Sequence, residues 1–501
     1  MANSRALPPP VGGWDTESAL TDMPPENAVT LDNWFPDTSD VLMRPGYTEF
    51  ASGMSGEVGT LLEYIPTTGT GQLFAVNDGK IYSITAGGAV GAAAVSGLSN
   101  SRFQQTQIST SAGHFLFAVN GADTPRTFDG SSWSTASITG PTAANLVWTN
   151  LHQRRLWFGE SDDLSAWYLP VNSISGTASE FPMGALFSRG GYLMAMGTWT
   201  RDAGNGSDDV AVFITSEGQV ALFQGVDPSS TSTWDLIGVF NIGKPIGRRC
   251  FIKAGADLII ITQDGFVACS SILLADRSQA ELVAISKQIN SAVNDAVRDF
   301  KSLFGWEPFL YPKGQMLIFN VPQSSSSAYQ FTFNTITRKP CRFTGIDAAT
   351  WALLDDNAYF GGFDGKVYKF DSGNSDDGAN INADAVQAFN YFGSRTQDKS
   401  FKRAEPIFTS DGNPNPTIEM NTDFIVKDTT ASKEAGAVSG AKWGSAMWGV
   451  DVWGYASQVY KGWRGIRGQG RAGSIRIRVS SNGAQPRWLS TNVIFSTGGM
   501  T

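Results

Sequence analysis

The sequence predicts an all-β protein: a β-propeller-like domain followed by a second β-rich region. Three observations carry that reading. Turn formers and aromatics are plentiful and charges scarce, with 55 Gly, 12% aromatic and 17% charged residues in 501, a bias toward pleated strands joined by tight turns. A degenerate hairpin unit recurs at roughly 40–60-residue spacing, the period of a propeller blade. Near the C-terminus, residues 474–480 (Ser-Ile-Arg-Ile-Arg-Val-Ser) alternate strictly between apolar and polar, the pattern of a half-buried strand.

In chain order, residues 1–54 read as an extended arm. Prolines at 8–10, 24–25, 36 and 45 forbid a continuous helix or central strand. Trp14, Trp34 and Phe35 give the arm apolar anchors. Residues 55–371 hold seven candidate units, centred on residues 73–82, 115–130, 155–160, 212–223, 258–267, 316–333 and 359–370. Asn-Asp-Gly at 77–79, Gln-Asp-Gly at 263–265 and Phe-Asp-Gly at 363–365 are hairpin signals, because such tight turns need positive φ. A row of hairpins in a sandwich or a β-helix is the alternative arrangement. Residues 278–300 break the pattern, spacing Leu282, Ile285, Ile289, Ala292, Ala296 and Phe300 as one face of a helix packed on the blades. A Gly/Asp/Asn-rich linker is expected at 372–384, and the C-terminal β-rich domain at 385–501. Within the latter, 418–420 and 424–426 read as short strands, and the Gly-Trp segment 443–463 as packed loops.

Scarce residues narrow the chemistry. Cys250, Cys269 and Cys341 are odd in number and lack a C-x-x-C, and His114 and His152 are the only imidazoles. A disulfide framework and a zinc site are disfavoured. No catalytic, cofactor or metal residues are assigned, and the protein is expected not to be an enzyme. The N-terminus lacks a secretory h-region, and the longest apolar run, at 258–261, is too short for a membrane span. Gly468-Gln-Gly470-Arg-Ala-Gly473 matches a dinucleotide fingerprint in letters but precedes a strand, where the mechanism needs a helix. Adjacent carboxylates at 162–163, 208–209, 355–356 and 376–377 lie beside turn residues, so turn chemistry is preferred over cation binding or acid–base work.

Charge is unevenly distributed. After Asp451 no acid occurs, while Lys461, Arg464, Arg467, Arg471, Arg476, Arg478 and Arg487 follow, so a C-terminal stretch of about +7 is set against about -16 elsewhere. Residues 1–43 carry about -6. Docking onto an acidic surface, within the chain or between subunits, is favoured. A solvated basic face and a DNA-binding use of Arg464 to Arg478 are the alternatives.

Residues 27–36 (Asn-Ala-Val-Thr-Leu-Asp-Asn-Trp-Phe-Pro), 42–47 (Leu-Met-Arg-Pro-Gly-Tyr) and 473–495 resemble the tail nozzle proteins of short-tailed bacteriophages, also called tail tubular protein B or packaged-DNA stabilisation proteins. The resemblance implies a structural virion protein, made in the host cytoplasm and forming a homohexameric tube below the portal. It would dock to an adaptor ring, with tail fibres on the propeller's outer face, and conduct duplex DNA without sequence-specific binding. It further implies that the N- and C-terminal parts join in a β-rich, sandwich-like platform. Trp34, Arg44, Arg464, Arg467, Arg471, Arg476 and Arg478 are then the candidate subunit or adaptor contacts; the lumen residues stay unassigned. A glycan-binding or glycan-cleaving propeller, with Asp162, Asp163, Asp208 and Asp209 at its mouth, is the rival function.

Overall fold

Turn chemistry sets the first level of structure. Asp78 and Gly79 sit at φ 47° and 66°, Gln153 and Arg154 at 49° and 57°, and Asp355 and Asp356 at 48° and 57°. Each pair makes a two-residue hairpin loop whose twist matches its flanking strands. The computed structural model describes residues 2–202, 207–272, 284–427 and 457–498. Among these, seven sets of antiparallel strands follow one another along the chain, each containing one of the seven repeat units.

Blade 1 is Val58–Tyr64, Gln72–Asn77 and Lys80–Ser83. Blades 2, 3 and 4 begin with Gln104–Thr110, Leu146–His152 and Leu193–Asp202, and have four strands each. Blade 5 is the three-stranded sheet from Phe251–Ala254 to Gly265–Ala268. Blade 6 runs from Glu307–Tyr311 to Pro340–Phe343, and blade 7 from Ala348–Leu354 to Val367–Phe370. From blade 2 to blade 7 the first strands of successive blades lie side by side, that of blade 7 returns to that of blade 1, and that of blade 1 meets the second strand of blade 2, closing a propeller. The ring is tied by chain exchange: Tyr47–Ser52, from the N-terminal arm, pairs antiparallel with Val367–Phe370 as a further strand of blade 7.

Period-2 geometry explains how the blades cohere. Successive side chains of a strand point to opposite faces. Leu61 therefore packs toward blade 7 and Leu62 toward blade 2. Leu116 and Phe117 divide between blades 1 and 3 in the same way, as do Val212 and Phe213 between blades 5 and 3. Apolar runs, not alternation, mark these strands because both faces are covered.

The arm and the C-terminal region share two sheets beside the propeller. In the first, Ala2–Leu7 pairs with Arg487–Thr497 in unbroken register from Ala2↔Ser496 to Leu7↔Thr491. Lys399–Ser410 lies on the other side of that strand, and Val41–Met43 joins its beginning. The second sheet continues blade 6: Pro340–Phe343 bridges to Asn27–Asp32 at Asp32↔Arg342, followed by Ile381–Gln387, Gly473–Ser481 and Thr417–Thr422. A two-pronged ion pair, Arg342 to Asp32 with both contacts at 2.7 Å, reinforces that junction.

Four local expectations are corrected. Residues 47–52, assigned to the arm, belong to blade 7 because Val367–Phe370 offers them a free edge. Residues 381–384, assigned to the linker, already form strand, paired with residues 478–481 and, at Asp384, also with Asp32. The helix begins at Asn290 and ends at Phe300. Ahead of it, residues 284–289 turn to meet the arm, the Gln288 side chain donating to the Gly12 carbonyl at 2.7 Å and its carbonyl accepting from the Thr16 N–H. The helix buries Val293, Ala296 and Val297. Residues 424–426 turn rather than extend, Asp423 and Phe424 both lying at positive φ. The start of the expected helix, before residue 284, and Trp443, Trp448 and Trp453 lie outside the described residues.

Candidate functional site

The residues named from sequence fall into two groups. Trp34 is fully buried, its ring 6.3 Å from Phe408 and 6.1 Å from Trp488. Arg44 is equally enclosed. Its guanidinium donates to both oxygens of Asp376 at 2.8 and 2.6 Å, to Asn33 Oδ1 at 2.8 Å, and to the carbonyls of Pro45 and Thr344. Every N–H of the fork has an acceptor, as a buried arginine requires. Arg476 and Arg478 converge on the Asp384 carboxylate at 2.6 and 3.1 Å. These four were expected at a subunit or adaptor contact. Within the single chain each makes its contacts internally, Trp34 against Phe408 and Trp488 and the arginines on Asp376 and Asp384.

Arg464, Arg467 and Arg471 differ. They lie along Arg464–Gly470 and just beyond it, Arg464 half-buried and the other two exposed. Arg464 reaches Asn415 at 3.3 Å and Arg471 meets Asp398 at 3.4 Å. Arg487 joins the C-terminal cations to the acidic arm, 3.0 Å from Asp40 and 3.9 Å from Asp37, and the charge of Arg476 also acts on Asp32. Two other acids of the arm pair elsewhere, Asp22 with Arg395 and Asp32 with Arg342.

The histidines, two of the cysteines and several turn aspartates each have defined surroundings within the chain. His152 is buried against the Trp234 ring, and burial lowers its pKa to about 4. His114 accepts or donates at Ser109 Oγ, 2.8 Å away, with the neutral Gln107 amide on its other nitrogen at 3.0 Å. The third member of a triad is thus an amide, which cannot stabilise an imidazolium as a carboxylate does. Burial pushes the Cys250 and Cys269 thiols up to about 12, which leaves them without thiolate character. Asp162, Asp355, Asp356 and Asp377 all sit at positive φ, and Asp163 accepts from the Ser165 N–H. No group of three or more His, Cys, Asp or Glu among the described residues can hold a metal ion. No helix among them is long and apolar enough to cross a membrane.

The feature sequence reasoning missed is at the propeller axis. Arg249, just before the first strand of blade 5, extends across the channel. It donates to Glu307 of blade 6 at 2.8 Å and to Thr350 of blade 7 at 3.1 Å. It also reaches the Gly59 carbonyl and Thr60 Oγ1 of blade 1, at 3.1 and 2.7 Å, and the Phe103 carbonyl at the start of blade 2, at 3.0 Å. Glu307 in turn accepts from the Trp351 N–H. Burial pushes the Glu307 carboxyl up while Arg249 pulls it down. One side chain thereby ties five blades together. Nothing local in the sequence marks it, since its partners lie up to 190 residues away.

No protein-family profile matches the chain, and no curated protein matches it. Among solved structures, the chain is similar to BBS1N in complex with ARL6DN, at 8% identity over 66% of this chain and 99% of that one, with a TM-score of 0.44. It is also similar to the WD40 β-propeller domain of Doa1, at 12% identity over 65% and 97% of the two chains, with a TM-score of 0.36. BamB from Moraxella catarrhalis matches at 11% identity over 67% and 92%, with a TM-score of 0.34. The chain is an all-β protein with a propeller domain.

Proposed function

We propose that this chain is a structural subunit of a bacteriophage tail nozzle, a ring of identical copies that docks to an adaptor, holds packaged DNA and then conducts it. The observation that carries the reading is the platform, in which the first and last strands of the chain pair from Ala2↔Ser496 onward and the second sheet runs unbroken into blade 6. Such a base joins the propeller rigidly to a surface suited to ring contacts. The exposed Arg467 and Arg471 supply cations there for an acidic neighbour.

In this reading the DNA path lies between copies of the chain and not along the propeller axis, which Arg249 spans. A wall net acidic outside its basic strip repels the duplex instead of binding its phosphates, so DNA is confined without being held. Sedimentation of the purified full chain, alone and with the adaptor ring, tests the proposal. A closed ring of six is the expected species. A chain that remains monomeric in both conditions would refute it.

A further inference from the structure

Above the Arg249 cross-link, at the end of the channel where the first strands of the blades begin, lies a cavity of about 580 Å³. That volume falls within the range of about 300–1,000 Å³ for small-molecule sites. Four cationic side chains line it: Arg102, Arg248, Arg249 and Lys301. Arg249 is neutralised by Glu307. The other three form no ion pair with any described residue. In a chain of formal net charge -9, three uncompensated cations around one cavity run against the average field.

The neighbouring carboxylates are committed. Asp123 accepts from Ser99 twice and from Asn120, and Asp162 acts on Arg248 only at longer range. Two of the cations are also held in place. Arg102 lies over the Phe304 ring at 4.1 Å from its centroid, and Arg249 lies over the same ring at 5.1 Å, a cation–π arrangement that orients guanidinium groups. Arg248 is half-buried, and its desolvation lowers its pKa. A desolvated guanidinium without an acceptor is costly until an anion supplies one.

We propose that this cavity binds a compact polyanion, a small molecule with two or more phosphoryl or carboxylate groups, through Arg102, Arg248 and Lys301. Guanidinium forks match both kinds of oxyanion bidentately, so the shared chemistry is multivalent oxyanion recognition. This inference rests on the cavity and not on the nozzle reading. The propeller's own axis, closed to DNA, thus carries a ligand that braces the blades Arg249 joins.

The test is calorimetric titration of the full chain with tripolyphosphate and, separately, with citrate. An Arg248→Gln variant is titrated alongside, and an Arg467→Gln variant serves as the control for non-specific charge on the platform. The expected result is saturable one-to-one binding of at least one probe, weakened ten-fold or more by Arg248→Gln and unchanged by Arg467→Gln. The tighter probe identifies which oxyanion the site reads. The proposal is overturned if neither probe binds at millimolar concentration, or if Arg248→Gln binds as the parent does. Circular dichroism of the variant shows whether lost binding reflects lost folding; if it does, Lys301→Gln takes its place, with the same expected ten-fold loss.

Discussion

Replacing Arg249 by Met keeps an unbranched apolar stem and removes the guanidinium, with its charge and all five donated hydrogen bonds. The Arg249 side chain is 16% exposed and that of Glu307 8%. The loss therefore leaves a buried carboxylate facing only Thr350 and the Trp351 N–H. Breaking one side of such a pair costs about 3–5 kcal/mol. The propeller spans residues 47–370, and at about 2.1 cal/mol/K of unfolding entropy per residue that cost lowers its melting temperature by roughly 4–8 °C. Differential scanning calorimetry at neutral pH reads the shift directly. Acid is expected to return part of the loss, because a carboxyl whose folded pKa is raised is stabilised by protonation and destabilised as pH rises through that pKa. A double variant, Arg249→Met with Glu307→Leu, should recover most of the stability, since removing both charges leaves no uncompensated ion. Refutation is simple: a single variant within about 1 kcal/mol of the parent, or a double variant no better than the single, would mean that Arg249 does not hold the blades.

Glu63 gives a second test. Burial between blades 1 and 7 raises its pKa from the usual 4.5 to about 7, opposed by the Leu353 N–H it accepts at 3.2 Å. Its contribution to stability is greatest below the unfolded pKa and falls as pH rises toward the folded one, by up to about 3 kcal/mol. Urea midpoints measured across that window should decline in the parent and flatten in Glu63→Gln; equal slopes would exclude Glu63 as the titrating group. In the platform, Arg44→Lys keeps the charge but cannot span Asp376, Asn33 and Thr344 together. A loss of about 3–5 kcal/mol is expected by chemical denaturation, and a variant as stable as the parent would show that the fork is dispensable.

The seven repeat units were legible because their signals are local. A hairpin needs its turn residues and its apolar strands within about a dozen positions, and Asp78-Gly79 or Asp355-Asp356 supply them. What closes the ring was hidden, since residues 47–52 pair with a strand more than 300 residues away and no turn chemistry announces it. Charge misled for the same reason. Arg44, Arg476 and Arg478 look like surface cations when read beside their chain neighbours, whereas Asp376 and Asp384 arrive from a different part of the sequence. The helix was placed by periodicity, yet its start was set by a tertiary contact, Gln288 to the Gly12 carbonyl. The cationic cavity carries no motif, because Arg102, Arg248 and Lys301 meet only once blades 2, 5 and 6 surround one axis.

The pairing of Ala2–Leu7 with Arg487–Thr497 also sets a clock. Synthesis proceeds at about 5–20 residues per second, so 501 residues take roughly 25–100 s to emerge. For nearly all of that time the first strand has no partner, and blade 7 lacks the strands that meet residues 47–52. The platform can seal only once residues 487–497 have left the ribosome. A chain stopped before residue 487 therefore lacks the strand against which Ala2–Leu7 pairs.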